Sequence, residues 1–135
     1  MQSARFVFAA LFLVVLFGLA GCGDGSMAEV NGTVKVDGQP IEEGTIRFAP
    51  VDGKTQTAGG FIKSGHYSVK VPVGVMKVAV SKEKTVGYKA LYNTPDSPKM
   101  PVKKEALPAR YNEQTELQLD VKPGTNAKDW ELKSN

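Results

Sequence analysis

Cys22 and His66 are the only cysteine and the only histidine in this chain, and that scarcity bounds the chemistry it can do. A Ser-His-Asp or Cys-His device needs a histidine within reach of a nucleophile. His66 lies between Gly65 and Tyr67, at an expected hairpin, which reads as an exposed turn residue. A zinc centre takes three or four His, Cys or carboxylate ligands, so one histidine would leave a set made almost wholly of carboxylates. Glu42-Glu43 is the only adjacent acidic pair. Neighbours on an extended chain point to opposite faces, so this pair reads as a solvated loop and not as an acid/base couple or cation site. The glycines are scattered among turns, and none forms a phosphate-cradling loop with lysine and serine. The expectation is a non-catalytic protein with no cofactor and no metal.

Cys22 takes its meaning from what precedes it. One positive charge, Arg5, is followed by the apolar run Phe6 to Phe17 and then by Gly18-Leu19-Ala20-Gly21. A short basic region, an apolar region and a small-residue exit are the layout of a secretory signal peptide. The run is shorter than the roughly 20 residues a transmembrane helix needs. Leu19-Ala20-Gly21-Cys22 resembles the lipobox of bacterial lipoproteins. That resemblance implies removal of residues 1–21, a diacylglycerol on the Cys22 thiol, and a palmitate-type acylated N-terminus. Two acyl chains hold a protein stably on a membrane where one is marginal. The expected location is the cell envelope, by default the periplasmic face of an outer membrane. With no second cysteine, no intramolecular disulfide is available to an exported chain.

The 114 residues after the leader suffice for one small domain. Four of the six Phe lie in the leader, and the remainder is rich in Val, Gly and Pro, a β composition. The formal net charge of +3 falls to +2 without Arg5. That modest lysine excess, with no basic stripe interleaved with aromatics, gives no nucleic-acid footprint. Residues 22–28 read as a lipidated tether, whose flexible part spans on the order of 15 Å at full extension. Strand signals follow at Val30 to Val36, Thr45 to Phe48, Thr57 to Lys63, Tyr67 to Val71, Met76 to Val80, Leu117 to Val121 and Trp130 to Lys133. Tyr67, Val69 and Val71 alternate with Ser68 and Lys70, the signature of a strand with one face buried. Asp37-Gly38, Asp52-Gly53, Ser64-Gly65 and Pro123-Gly124 mark turns between them. Seven short strands separated by turns predict an all-β domain over residues 29–134, a seven-stranded antiparallel β-sandwich.

The order of these motifs carries a second resemblance. Val30-Asn31-Gly32-Thr33-Val34, Asp37-Gly38-Gln39-Pro40-Ile41 and Gly44-Thr45-Ile46-Arg47-Phe48-Ala49-Pro50 resemble the opening of carboxypeptidase regulatory-like domains. Ser64-Gly65-His66-Tyr67-Ser68-Val69 followed by Pro72-Val73-Gly74 is similar to that family's Asp-Gly-x-Tyr and x-Pro-x-Gly motifs, with Ser64 where Asp is usual. Leu107-Pro108-Ala109-Arg110-Tyr111-Asn112 and Val121-Lys122-Pro123-Gly124 resemble the ending of small bacterial lipoproteins carrying this domain. The resemblance implies a transthyretin-like (prealbumin-like) sandwich and a non-catalytic module.

Residues 82–106 do not fit a minimal sandwich. They read as a long connection without regular structure, carrying Lys82, Lys84, Lys89, Lys99, Lys103 and Lys104 against Glu83, Asp96 and Glu105, with Tyr88 and Tyr92 interspersed. Loops of that length are usually functional or disordered. The segment reads either as a solubilising loop whose tyrosines pack on the sandwich edge or as a contact surface, for which Tyr88, Tyr92, Lys99, Lys103 and Lys104 are the candidate binding residues, with Cys22 the lipid attachment site. The expected partners are membrane lipid through Cys22 and an envelope protein, or alternatively an envelope or extracellular polysaccharide stacked on the tyrosines.

Overall fold

The computed structural model describes residues 25–135; the expected leader and Cys22 lie outside the described residues. Eleven strands follow one another: β1 (Met27–Val36), β2 (Gln39–Pro40), β3 (Glu43–Pro50), β4 (Ala58–Lys63), β5 (His66–Pro72), β6 (Gly74–Ser81), β7 (Glu83–Ala90), β8 (Lys99–Glu105), β9 (Gln118–Val121), β10 (Thr125–Ala127) and β11 (Trp130–Leu132). A 3-10 turn at Ala109–Tyr111 precedes β9. The described residues contain no α-helix.

Nine strands form one sheet in the order β10-β1-β5-β4-β3-β6-β9, with β2 and β11 pairing the far half of β1. All seven expected strand regions are in it, as β1, β3, β4, β5, β6, β9 and β11. The sheet is antiparallel except along β1, where β10 and β11 run parallel to it, a departure from the wholly antiparallel expectation. β1 is long enough to take two short partners in succession. It pairs β10 at Glu29 to Asn31 and β11 at Val34 to Val36.

This sheet must curl. β5 and β6 are separated in the order by β4 and β3, roughly 14 Å on a flat sheet with strands ~4.8 Å apart. Only Val73 joins Pro72 to Gly74, and two Cα steps reach no more than about 7.6 Å. The edge strands β9 and β10 are likewise joined by residues 122–124 alone. Inside the curl, alternate residues of each strand make the core: Val30 and Val34, Ile46 and Phe48, Ile62, Tyr67 and Val71, Met76, Val78 and Val80, Val121, Trp130 and Leu132.

Two two-residue turns set the hairpin registers. Asp37 and Gly38 have φ of 51° and 82°, and Ser64 and Gly65 have φ of 50° and 78°. Positive φ at both positions defines the type I′ turn that matches strand twist. The Ser64-Gly65 turn also meets the link between β2 and β3: Gly65 N–H donates to the Ile41 carbonyl at 2.6 Å and Ser64 N–H to that of Glu42 at 2.8 Å. A β-carbon on Gly65 would stand 2.6 Å from Pro40 Cβ.

Residues 82–106 are not an irregular connection. β7 and β8 pair from Glu83↔Glu105 to Ala90↔Lys99, with a bulge between Thr85 and Gly87. They form a two-stranded arm outside the main sheet. Every residue of β8 is exposed, as is every residue of β7 except the partly covered Gly87. A hairpin with no buried face leaves no alternating apolar pattern, which is the physical reason the segment reads as a loop.

Candidate binding surface

The root of the arm is set by Glu105. Its Oε1 accepts the backbone N–H groups of Lys82 (3.0 Å), Ala106 (3.0 Å) and Leu107 (2.9 Å). Ala106 N–H also donates to the Lys82 carbonyl at 2.7 Å, so the arm leaves and rejoins the body at one point. Leu107, next in the chain, is buried in the core. The tip is closed by Leu91 N–H to the Pro98 carbonyl and Tyr92 N–H to Ser97 Oγ, at 2.9 and 2.7 Å.

The arm rises from the end of the domain opposite the one where the chain enters. Met27 pairs with Pro72, and Gly74 starts β6 beside Val121. β6 then runs to Ser81, beside Thr45, and its eight residues carry the chain roughly 23 Å along the strand.

Register divides the five expected surface residues. Tyr88 faces Pro101, Ala90 faces Lys99 and Thr85 faces Lys103, so Tyr88, Lys99 and Lys103 share one face. Lys104 stands on the other, opposite Lys84 and in line with Met100 and Val102. Tyr92 belongs to the tip. Tyr88 and Tyr92 are 70% and 62% exposed. Lys103 Nζ lies 3.8 Å from Glu83 Oε2, a loose exposed pair of small energetic weight. Like charges directly opposed on a ladder, as Lys84 and Lys104 are, disfavour the hairpin unless an anion lies between them.

His66 is exposed at the start of β5, and Glu42 and Glu43 are exposed beside Gln39, Pro40, Ser64, Lys82 and Glu83 around a shallow depression. No three His, Cys, Asp or Glu side chains gather as a metal ligand set among the described residues. Tyr111 Oη accepts the Lys133 N–H at 2.9 Å, which lowers the phenol pKa. Asn112 Nδ2 donates to the Pro108 carbonyl at 3.3 Å. The Leu107 to Asn112 motif therefore fastens the C-terminal strand to the body.

A polar junction sits where β1 changes partners. Tyr67 Oη donates to the Lys128 carbonyl at 2.6 Å and accepts Trp130 Nε1–H at 3.2 Å. Burial raises the Tyr67 pKa to about 12, against the lowering effect of the Trp130 hydrogen bond. Asp129 Oδ1 accepts both the N–H and the hydroxyl of Thr33, at 2.8 and 2.9 Å, and the backbone bond is the chief cause of its lowered pKa. Here Gly32 is indispensable, since a β-carbon would fall 1.9 Å from the Lys128 carbonyl oxygen.

Sequence reasoning passed over one surface feature. On the outer face of β3 and β4, Phe61 is 74% exposed. Beside it a depression of about 370 Å³ is lined by residues 45–47 and 57–61. The signal was present: Ile62 and Ile46 point inward, so Phe61 and Arg47 must point outward.

No protein-family model matches the chain, and no curated protein matches it in sequence. A crystal structure of a 9R-lipoxygenase from Cyanothece PCC8801 is similar over 80% of this chain and 16% of that one, with 11% identity and a TM-score of 0.40. The chain thus spans about one sixth of that protein, and a likeness this loose carries no argument.

Proposed function

We propose that this chain is a membrane-anchored lipoprotein of the cell envelope, by default on the periplasmic face of an outer membrane. In this reading its curled sheet is a seven-core-strand, transthyretin-like sandwich that serves as a non-catalytic protein-binding module. The observation that carries the reading is the β7–β8 arm. It is exposed along both faces and rooted at the end of the domain away from the entering N-terminus. An isolated hairpin is marginal in water, so twenty-odd ordered residues without a buried face make sense as a contact element. Pro101 in β8 has no N–H to offer a further strand, which favours recognition through the arm's faces and tip over strand addition.

The test is co-purification of the detergent-extracted, full-length protein with its neighbours. Lys99→Glu with Lys103→Glu reverses charge on one face, and Lys84→Glu with Lys104→Glu on the other. Loss of a partner from one pair with an unchanged melting temperature is the expected outcome. A partner set unaltered by both pairs contradicts the reading.

A second reading, polysaccharide recognition through Tyr88 and Tyr92, draws on the exposure of both rings. Retention on glycan columns that persists in the Tyr88→Ala, Tyr92→Ala double variant contradicts it.

A further inference from the structure

The depression on the outer face of β3 and β4 combines features that no part of the arm has. Its floor is small: Gly59, on the outward face with Phe61 and Arg47, carries no side chain, and the backbone of Gly60 and Ala58 continues it. One wall is Phe61, the most exposed of the large apolar side chains in the described residues. Arg47 stands across from Gly59 in the ladder and is the only charged residue lining the cavity. The guanidinium makes no ion pair among the described residues. Thr45 and Thr57 add hydroxyls to the rim. β3 and β4 are paired from Glu43↔Lys63 to Phe48↔Ala58, so between these two strands no edge is open for a peptide to extend. A ligand must be recognised by what stands above the floor: an aromatic face, hydroxyls and one cation.

We infer that Phe61, Arg47 and the Gly59-Gly60 floor form a binding subsite for a carboxylated sugar ring of an acidic polysaccharide. An exposed aromatic ring offers a flat apolar surface to the C–H face of a pyranose, and its edge leaves the sugar hydroxyls free for Thr45 and Thr57. A planar guanidinium binds a carboxylate through two parallel hydrogen bonds. About 370 Å³ lies in the range of small-molecule sites and holds one ring with its carboxylate while the depression stays open for chain neighbours. Glu113 lies beyond Arg47 in one neighbouring depression, and Glu43 and Glu83 lie with Lys103 beyond Phe61 in another, so the carboxylate of the ligand is confined to Arg47 between them. The subsite borders the root of the arm, since Phe61 and Thr45 also line a depression with Glu83 and Lys103, and it does not rest on the lipid anchor.

The experiment is isothermal titration of the detergent-extracted, full-length protein with trigalacturonate, with the neutral trimer maltotriose and with a short polyglutamate peptide. Binding of trigalacturonate, weakened at least tenfold by Phe61→Ala, is the expected result. Arg47→Gln should bring trigalacturonate down to the level of maltotriose. Gly59→Val, whose backbone has no positive φ and whose nearest contact is Ile46 O at 3.2 Å, should block the floor, with melting temperatures checking that each variant is folded. Equal binding of maltotriose by the wild type overturns acid recognition, and equal binding of polyglutamate overturns sugar recognition. No binding of trigalacturonate at millimolar concentration overturns the subsite and leaves the arm reading standing. Binding lost in the Tyr88→Ala, Tyr92→Ala variant but kept in Phe61→Ala assigns the sugar to the arm instead.

Discussion

Single residues hold this domain together at places where strands change partners. Gly32 is the sharpest case, because β1 passes from β10 to β11 beside it and a methyl group there would overlap a carbonyl oxygen at 1.9 Å. Gly32→Ala should cost about 2–3 kcal/mol, the scale of an overpacked site, read as a shift of the urea midpoint. Tyr67→Phe removes one hydroxyl and leaves two partners, the Trp130 N–H and the Lys128 carbonyl, without their bond. A loss of roughly 1–3 kcal/mol is expected near neutral pH. The same hydroxyl gives a pH signature. Its pKa is raised from 10 to about 12 in the folded state, so the folded protein holds that proton more tightly than the unfolded chain. Stability from this group is complete below pH 10 and is lost as pH rises from about 10 through 12. Urea midpoints across that window should fall more in the wild type than in Tyr67→Phe; parallel slopes would contradict the assignment. Ser64, at φ 50°, occupies a position where Asn is easier, so Ser64→Asn should stabilise the fold by about 0.5 kcal/mol. At this scale the turn glycines and the inward alternation of Tyr67, Val69 and Val71 were legible in the sequence. The task of Gly32 was not, since it depends on Lys128, ninety-six residues away in the chain.

Among the elements, strands with one wet and one dry face announced themselves, and strands with two wet faces did not. β1, β3, β5 and β6 each carry a regular apolar alternation, and each was expected. β7 and β8 carry none because neither face is buried, while Pro95, Pro98 and Pro101 give the segment the composition of a loop. β10, and the parallel course of both β10 and the expected β11 along β1, were obscured for another reason. The two strands are three residues each, and their pairing with β1 is set by Asp129 and the residue 128–130 junction more than by local pattern. Phe61 in β4 and Arg47 in β3 were hidden within strands correctly placed, because an apolar alternation marks only a strand's inward residues. The separateness of the arm gives a direct test. Replacing residues 84–104 with a short Gly-Ser turn, which keeps Glu105 and the three N–H groups it accepts, should leave the melting temperature within about 2 °C, since exposed segments contribute little to stability. Lys82 and Ala106 are already joined by a 2.7 Å hydrogen bond, so the ends need no rearrangement. Unfolding of that variant would show the arm to be part of the core.

For the whole molecule, the account joins an anchor at one end to a contact element at the other. Cys22→Ser should abolish acyl labelling and leave an unprocessed precursor; mature, membrane-bound protein from that variant would refute the anchor. The most direct test of the central claim is in-cell crosslinking of the lipidated protein and of its arm-deleted variant, with mass spectrometry of what each captures. The account predicts a reproducible protein captured by the intact chain and lost from the variant, with both folded and lipidated. The same captured set from both, or no protein above background from either, would contradict a protein-binding role for the arm.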